Sequence, residues 1–339
     1  MTPADLLIVG EAEGTHVGGS FLRGARRLGL AATLCSTAPA FDAPRWLRTI
    51  YWRLLDKRPP RLARFARGLF AELESAKPKW ILTTGLAPLD GEILRVVGRL
   101  GIQRLHYATD DPWNPALRAR WYLDALPEYD KVFSPRHTNL TELTAMGCSS
   151  VQYLAFGYDD ELFPPHIQPS DGRPDLRCQI LFVGGADRHR LPMVTALRDA
   201  GFDVAVYGGY WNRSPKTRAI SRGFADPKVL ALATVNADIN LCLVRRDNRD
   251  GHVMRSFEIP AVGGCMLTED TPEHREILGP EGECTLYFGS TPEMVAKARA
   301  LLENPDRRAQ FALAAHRRVT SGKNAYRDRL QEMLQLGSG

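Results

Sequence analysis

A segment in the second half of the chain combines basic, hydroxyl and acidic side chains near a predicted helix start. The sequence D-G-H-V-M-R-S-F-E-I-P-A-V-G-G runs from Asp250 to Gly264, between two β-type runs. An arginine such as Arg255 pairs well with a diphosphate, and the Glu258 carboxylate can accept hydrogen bonds from two vicinal hydroxyls. The combination suits a nucleotide sugar. The structural alternative is that Glu258 favours the first helical turn and Arg255 is a surface charge.

A second segment, G-G-A-D-R-H-R-L from Gly184 to Leu191, follows the β-type run QILFV. A strand that ends in glycines before a helix presents backbone N–H groups to an anion, so Gly184, Gly185 and Arg190 are predicted to bind phosphate. Glycines in a tight strand-to-helix turn also have a purely steric explanation.

These segments lie within a repeated β-α alternation, which predicts an α/β protein with parallel sheets covered on both faces. In the first half, β-type runs at 5–10, 80–84, 105–108, 131–134 and 151–155, and ATLC ending at Cys35, alternate with helical patterns at 21–30, 62–76, 89–100 and 137–146. Gly29, Gly101 and Gly147 follow helical patterns, as is typical of helix C-termini.

A stretch with four prolines between Phe156 and Arg177 interrupts the alternation, which then restarts. In the second half QILFVGG, FDVAVYGG, INLCLV, GCMLT and CTLYF are predicted strands, and the predicted helices are 190–200, 227–234, 292–302, 307–318 and 325–336. We expect two doubly wound, Rossmann-like domains, 1–160 and 178–320, joined by a linker at 161–177. Ligands of such folds bind at the carboxyl ends of the strands, here expected in an interdomain cleft.

The segment from Ile180 to Arg329 resembles the GT-B glycosyltransferases, and more closely the CgeB-like (spore maturation protein-like) branch of the group 1 glycosyl transferases. The resemblance lies in ILFVGG, in NADINLCLVRRDNRDGHVMRSFEIPAVGGCMLTEDTPEHREIL and in FGSTPEMVAKARALLENPDRR. In retaining relatives an E-x7-E pair spans the central loop, and its second glutamate holds the ribose. Here Glu258 takes the second position, and Asp250, one methylene shorter, takes the first.

The resemblance implies that 178–320 binds the donor, that 1–160 carries the acceptor, and that a final helix within 321–339 packs back on the first domain. The predicted donor-binding residues are Gly184, Gly185, Arg190, Tyr207, Asp250, Arg255, Ser256, Phe257, Glu258 and Gly263.

Three residues of the first half are candidate catalytic groups. The glycine-rich loop from Gly14 to Ser20 resembles the GT-B loop beside the donor diphosphate, and its His16 is either a base or a capping residue. In H-Y-A-T-D-D-P-W-N-P, Asp110 or Asp111 could deprotonate an acceptor hydroxyl for attack on an anomeric carbon. The alternative there is an Asp-Pro turn with a helix cap.

The predicted function is metal-independent sugar transfer from a UDP-, GDP- or dTDP-linked donor to a glycan, a protein or a small molecule, with no cofactor beyond the donor. The alternatives are a sugar-nucleotide epimerase and a non-catalytic nucleotide-sugar-binding protein. Fold analogy does not choose among them.

Composition and charge bear on the partners and the location of the protein. The 339 residues carry 44 Lys and Arg against 39 Asp and Glu, a net charge of +5 that does not indicate nucleic-acid binding. The start of the chain has no signal-peptide pattern, and no apolar run is long enough to span a membrane, so a cytoplasmic location is predicted. Without metal-ligand spacing, Cys35, Cys148, Cys178, Cys242, Cys265 and Cys284 are interpreted as structural thiols.

One stretch is strongly basic and aromatic. Its basic residues are Arg45, Arg48, Arg53, Lys57, Arg58, Arg61, Arg64 and Arg67, interleaved with Trp46, Tyr51, Trp52 and Phe65 and with Asp56 as the one acid. The pattern favours a solvated helix face. The same mixture also suits peripheral contact with an anionic membrane, a lipid-phosphate acceptor or a polyanionic glycan.

Overall fold

The computed structural model describes residues 5–165, 167–169 and 172–335, and the chain forms two compact units. The first contains Met1–Ala155, Asp247–Asp250 and Tyr326–Gly339, and the second contains Phe156–Arg246 and Gly251–Ala325. Residues 1–4, 166, 170, 171 and 336–339, which include parts of the predicted first domain, linker and C-terminal helix, lie outside the described residues.

The first unit is built on a six-stranded parallel sheet. Its strands are β1 (Leu6–Gly10), β2 (Ala32–Ser36), β3 (Trp80–Thr84), β4 (Gln103–Tyr107), β5 (Lys131–Ser134) and β6 (Val151–Tyr153), in the order β2-β1-β3-β4-β5-β6. The apolar run of β1 is fully buried, as expected for a strand covered on both faces. These strands confirm the predicted β-type runs.

Helices surround this sheet. They are α1 (Val17–Arg27), α2 (Ala38–Phe41), α3 (Arg45–Leu54), α4 (Leu62–Ala76), α5 (Gly91–Arg99), α6 (Arg120–Leu123), α7 (His137–Ala145) and, numbered along the chain, α14 (Tyr326–Met333). Helix α14 packs on α1, where a Cβ on Gly24 would lie 3.0 Å from the Arg327 Cα and the Phe21 ring meets the Tyr326 ring edge-on. Helix α3 has no buried residue.

The second unit contains a five-stranded parallel sheet. Its strands are β7 (Cys178–Val183), β8 (Val204–Tyr207), β9 (Ala237–Cys242), β10 (Met266–Glu269) and β11 (Leu286–Phe288), in the order β11-β10-β9-β7-β8. The described residues of 161–177 belong to this unit, and Phe163 is buried in its core.

The helices of the second unit are α8 (Arg190–Asp199), α9 (Pro227–Asn236), α10 (Arg255–Val262), α11 (Pro272–Leu278), α12 (Thr291–Leu302) and α13 (Pro305–Ser321). Short 3-10 turns lie at Leu126–Glu128, Pro174–Leu176, Trp211–Arg213, Arg218–Ile220 and Arg246–Asn248. The predicted helix 307–318 is confirmed as α13, which begins at Pro305, and the Asn304 side chain caps it by accepting a hydrogen bond from the Arg307 N–H at 3.0 Å. Helix α11 was not predicted.

Each sheet has one point where the strand order reverses. In the first unit it lies between β1 and β3, and in the second between β7 and β9. Ligands of open parallel sheets bind outside the carboxyl ends of the strands at such points. A ligand is therefore expected at the loops after these strands.

Candidate functional site

The first turn of α10 places Arg255 and Glu258 side by side in the second unit. The Arg255 Nη1 and Glu258 Oε2 atoms form an ion pair three residues apart, and the Arg255 guanidinium lies 5.3 Å from the centre of the Phe163 ring. Glu258 is only 3% exposed. The helix thus presents a charged pair at its N-terminal end, where the backbone N–H groups add positive potential.

The Glu258 carboxylate is short of hydrogen bonds for a buried group. Its Oε2 accepts no hydrogen bond of good geometry from the residues that the structure describes, although Arg255 is within ion-pair distance. Burial raises the pKa of Glu258, the Asp159 carboxylate adds to this rise, and Arg255 opposes it. Arg255 offsets the charge of this oxygen, and a ligand hydroxyl would add the hydrogen bond of good geometry that it lacks among the described residues.

The other predicted donor residues on α10 face the protein interior. Ser256 Oγ lies 2.8 Å from His274 Nε2 and accepts a hydrogen bond from the Val253 N–H at 3.1 Å. Since His274 Nδ1 donates to the Glu269 carbonyl at 2.7 Å, its Nε2 accepts from Ser256. Burial lowers the pKa of His274 to about 4, which keeps the ring neutral. Phe257 is buried, and Gly263 ends the helix with a φ of +90°.

Arg190 links two loops at the reversal point of the second sheet. Its Nη2 donates to the Leu243 carbonyl at 3.0 Å and its Nη1 to the Gly185 carbonyl at 3.4 Å, and the residue is buried. A Cβ on Gly184 would lie 2.9 Å from the Phe182 ring, so this glycine permits a close approach of the backbone. Tyr207, the last residue of β8, is buried in the core. These contacts give Gly184, Arg190 and Tyr207 structural roles.

Asp250 lies in the first unit, where it forms a buried ion pair with Arg136. Arg136 Nε donates to Asp250 Oδ1 at 2.7 Å, and the guanidinium also donates to the carbonyls of Ala108 and Thr109 at 3.0 and 2.8 Å. Both side chains are almost fully buried. Asp250, the acid predicted to take the first position of the E-x7-E pair, therefore forms an ion pair with Arg136, beside the loops that follow β4 and β5.

Asp111 is held by four hydrogen bonds in the same cluster. Arg249 donates to it from Nε at 2.5 Å and from Nη2 at 2.9 Å, and the Trp113 N–H and the Asn139 side-chain amide each donate at 3.0 Å. Burial by itself would raise the pKa of Asp111, but these hydrogen bonds outweigh it and hold the pKa below its usual range. A carboxylate so engaged is a weak base.

Asp110 and His16, the other candidate bases, are less enclosed. Asp110 is half-buried and accepts a hydrogen bond from the Asn248 side-chain amide at 3.0 Å. His16 is exposed and precedes α1, where its side chain makes no capping hydrogen bond. Steric crowding explains a glycine in this segment, because a Cβ on Gly19 would lie 2.4 Å from the Ala12 carbonyl oxygen.

Sequence reasoning missed the partners that organise the Asp110–Asp111 cluster. These are Arg136, Asn139, Glu142, Asn248 and Arg249, and Glu142 accepts hydrogen bonds at 2.8 Å from both Nη atoms of Arg249. Arg249 adopts a positive φ of 50°, unusual for an arginine. Local patterns gave no signal, because Arg249 and Asp111 are 138 positions apart.

A separate pocket of about 300 Å³ opens at the ends of β10 and β11 in the second unit. Its lining includes Arg188, His189, Arg246, Glu269 and Ser290. Arg246 Nη2 donates to Glu269 Oε1 at 2.7 Å. None of the residues that line this pocket was predicted to bind the donor. They come from separate segments of the chain, which no local sequence pattern connects.

Over residues 5–165, 167–169 and 172–335, no group of three or more His, Cys, Asp or Glu side chains is arranged to hold a metal ion. Over the same ranges, no helix has the length and apolar character needed to cross a membrane.

Residues 188–335 match the family model described as glycosyl transferase-like. This match contains Arg255 and Glu258. No curated protein sequence matches the chain.

Solved structures match nearly the full length of the chain. Sucrose-phosphate synthase from Thermosynechococcus elongatus is 12% identical over 99% of this chain and 98% of its own, with a TM-score of 0.69. HepE from Anabaena, in complex with UDP-glucose, is 12% identical over 97% of this chain and 98% of its own, with a TM-score of 0.64. The chain has the GT-B fold. UDP-GlcNAc 2-epimerase from Neisseria meningitidis, bound to UDP-GlcNAc, also matches, with 12% identity over 98% of this chain and 99% of its own and a TM-score of 0.57.

Proposed function

We propose that this GT-B protein is a hexosyltransferase-like glycosyltransferase of the CgeB-like branch, which moves a sugar from a nucleotide-diphosphate donor to an acceptor hydroxyl. The observation that carries the proposal is the buried Glu258 carboxylate beside Arg255, within the segment that matches a glycosyl transferase-like family model. The R-S-F-E-I-P-A-x-G motif around this pair supports the branch.

In the proposed donor site, Glu258 accepts hydrogen bonds from the two ribose hydroxyls. These bonds would add to the Arg255 ion pair the hydrogen bonds of good geometry that this buried oxygen lacks among the described residues. Arg255, next to it, pairs with the diphosphate of a UDP-, GDP- or dTDP-linked sugar. Gly185 has room above its backbone, since a Cβ there would meet nothing closer than the Gly209 carbonyl oxygen at 3.8 Å. The phosphates can therefore approach the turn after β7.

The reaction forms a bond from the acceptor oxygen to the anomeric carbon and breaks the bond from that carbon to the diphosphate oxygen. A base takes the acceptor proton, and the nucleoside diphosphate leaves with the bonding electrons. We assign the base to Asp110 rather than Asp111, because the hydrogen bonds from Arg249 occupy Asp111 and lower its pKa. Arg255 and the start of α10 stabilise the negative charge of the leaving group.

Metal independence and a cytoplasmic location are parts of the same proposal. Arg255 supplies the positive charge that a divalent ion would otherwise bring to a diphosphate. Transfer should therefore persist when a chelator is added, and only restoration of lost activity by Mg²⁺ or Mn²⁺ would contradict this point.

The test is donor turnover with and without an acceptor. A panel of UDP-, GDP- and dTDP-sugars is incubated with the protein, and the nucleoside diphosphate released is measured before and after acceptor hydroxyl compounds are added. Release that depends on the acceptor, and that Glu258→Gln diminishes, supports the proposal. Conversion of a nucleotide sugar to its epimer without acceptor would instead identify an epimerase, and binding without turnover would identify a nucleotide-sugar-binding protein.

A further inference from the structure

Helix α3 of the first unit is exposed along its whole length. None of its ten residues is buried, although it contains two tryptophans, an isoleucine and three leucines or tyrosines. Trp46 is 65% exposed and Leu54 is 77% exposed. Isolated exposed apolar residues are common, but several on one short helix indicate a surface that meets something other than water.

The apolar and the basic side chains of α3 lie in separate rows along the helix. Trp46, Ile50 and Leu54 follow each other at four-residue intervals, so they form one exposed apolar row. Arg45, Thr49 and Arg53 form the row beside it. The half-buried Leu47 and Tyr51 lie on the remaining side. An apolar row with a basic row next to it is the arrangement of a helix that lies in a membrane interface.

The charge of this surface is unbalanced. In the part of the chain that the structure describes, no acidic side chain forms an ion pair with Arg45, Arg48 or Arg53. Asp56, the acid that follows the helix, accepts hydrogen bonds from the backbone N–H groups of Arg120 and Trp121. Arg58, a basic residue after the helix, differs from these arginines because it forms an ion pair with Asp90 at 2.8 Å.

A pocket of about 440 Å³ beside α3 is lined by Arg45, Arg48, Trp52, Arg53 and Lys57, among others. The Lys57 ammonium lies 6.0 Å from the centre of the Trp52 ring. A cationic recess adjoining an exposed apolar row can hold a phosphate headgroup while the row enters the acyl region.

We propose that α3 docks the protein on the surface of a membrane containing anionic phospholipids. Trp46, Ile50 and Leu54 enter the interface, and Arg45, Arg48 and Arg53 contact the lipid phosphates. The helix lies on the membrane and does not cross it. A soluble polyanion would satisfy the arginines and leave the apolar row in water, which is why a lipid surface fits the observations better.

Flotation of the full-length protein with vesicles tests this. One set of vesicles contains equal parts of phosphatidylcholine and phosphatidylglycerol, and the other contains phosphatidylcholine alone. We expect binding to the anionic set and little to the neutral set, with a loss at high salt because screening shortens the reach of the charges from about 10 Å at 0.1 M to about 3 Å at 1 M.

Two variants separate the two rows. The double variant Arg45→Gln with Arg53→Gln should have a lower partition coefficient for anionic vesicles, by about fivefold for each arginine removed. Trp46→Ser with Leu54→Ser should lower it by about 100-fold, since two large apolar side chains no longer leave water. The matched control is Leu313→Ser with Arg317→Gln on α13, where Leu313 is 48% exposed and Arg317 lies one turn further along the helix. This control should bind as the wild type does.

Several results would overturn the proposal. They are an absence of binding to anionic vesicles, vesicle binding that both α3 variants retain, or an apolar-row variant that binds as well as the wild type. Binding to dextran sulfate without binding to vesicles would indicate a polyanion site instead. A change from dimer to monomer in the apolar-row variant, with no vesicle binding by the wild type, would indicate contact between two copies of the chain.

Discussion

Arg136 and Asp250 are 114 positions apart, yet the Arg136 Nε–H donates to Asp250 Oδ1 at 2.7 Å in the interior of the first unit. The same guanidinium donates to two backbone carbonyls after β4. A four-residue segment that the sequence places between two strands of the second sheet, Asp247–Asp250, is thereby part of the first unit. The acid that family resemblance places next to the donor sugar thus has a structural partner.

We expect Asp250→Asn to destabilise the protein. It leaves a buried guanidinium without its anion, at a cost of about 3–5 kcal/mol in the free energy of unfolding. Urea unfolding measures this. The control is Lys79→Gln, which removes the exposed Lys79–Asp5 pair and should cost about 0–1 kcal/mol. A variant that unfolds like the wild type and still loses turnover would instead place Asp250 on the donor sugar.

The cluster around Asp111 should make the stability of the protein sensitive to acid. Its carboxyl has a lowered pKa in the folded state, so its contribution is complete above the unfolded pKa of about 3.9. The contribution is lost as the pH falls through the folded pKa. In Asp111→Asn, the free energy of unfolding should therefore fall less between about pH 6 and pH 3 than in the wild type.

Urea unfolding at a series of pH values provides the measurement. Glu303→Gln, which changes an exposed carboxylate at the end of α12, is the control and should follow the wild-type curve. Parallel curves for Asp111→Asn and the wild type would contradict the assigned role of Arg249.

Replacement of the proposed base should affect the reaction and leave donor binding intact. Asp110→Asn removes the proton acceptor, so kcat should fall by about 100-fold or more while the Kd for the donor stays the same. Steady-state kinetics and calorimetry give the two quantities. If Asp110→Asn keeps its kcat and His16→Gln loses it, the base is His16.

The six cysteines should be unreactive in the folded protein and dispensable for turnover. Burial raises the pKa of Cys178, Cys242 and Cys265 to about 12 each, and burial together with Glu72 raises the pKa of Cys35 to about 12. Thiolates, the reactive species, are thus scarce near neutral pH. A thiol reagent should label the native protein slowly and all six residues after unfolding. Loss of activity in a folded Cys→Ala variant would contradict the structural interpretation.

The fold could be predicted because its signals are local. Apolar runs such as Leu6–Gly10 become buried strands, and glycines such as Gly101 and Gly147 take the positive φ that helix ends favour. Helix α11 was missed, since only His274 and Leu278 of its seven residues are buried and the apolar period is too short to detect.

The candidate site was predictable in part. Arg255 and Glu258 are three residues apart on one helix, so their spacing alone predicts that they meet. Ser256 lies between them on a different face, and its contact with His274, 18 positions away, depends on α11, a helix that follows β10. The ion pairs of Arg136 and Arg249 join distant segments, which no local pattern encodes.

The central claim is that the Glu258 carboxylate binds the ribose of a nucleotide donor, and calorimetry with matched ligands tests it most directly. Wild type and Glu258→Gln are titrated with a nucleoside diphosphate and with its 2′,3′-dideoxy analogue. We expect Glu258→Gln to weaken binding of the ribose form by about 1.5–3 kcal/mol, and the dideoxy analogue to bind the wild type correspondingly worse. The variant should hardly distinguish the two ligands, since both changes remove the same hydrogen bonds. A variant that binds the ribose form as tightly as the wild type does would contradict the claim.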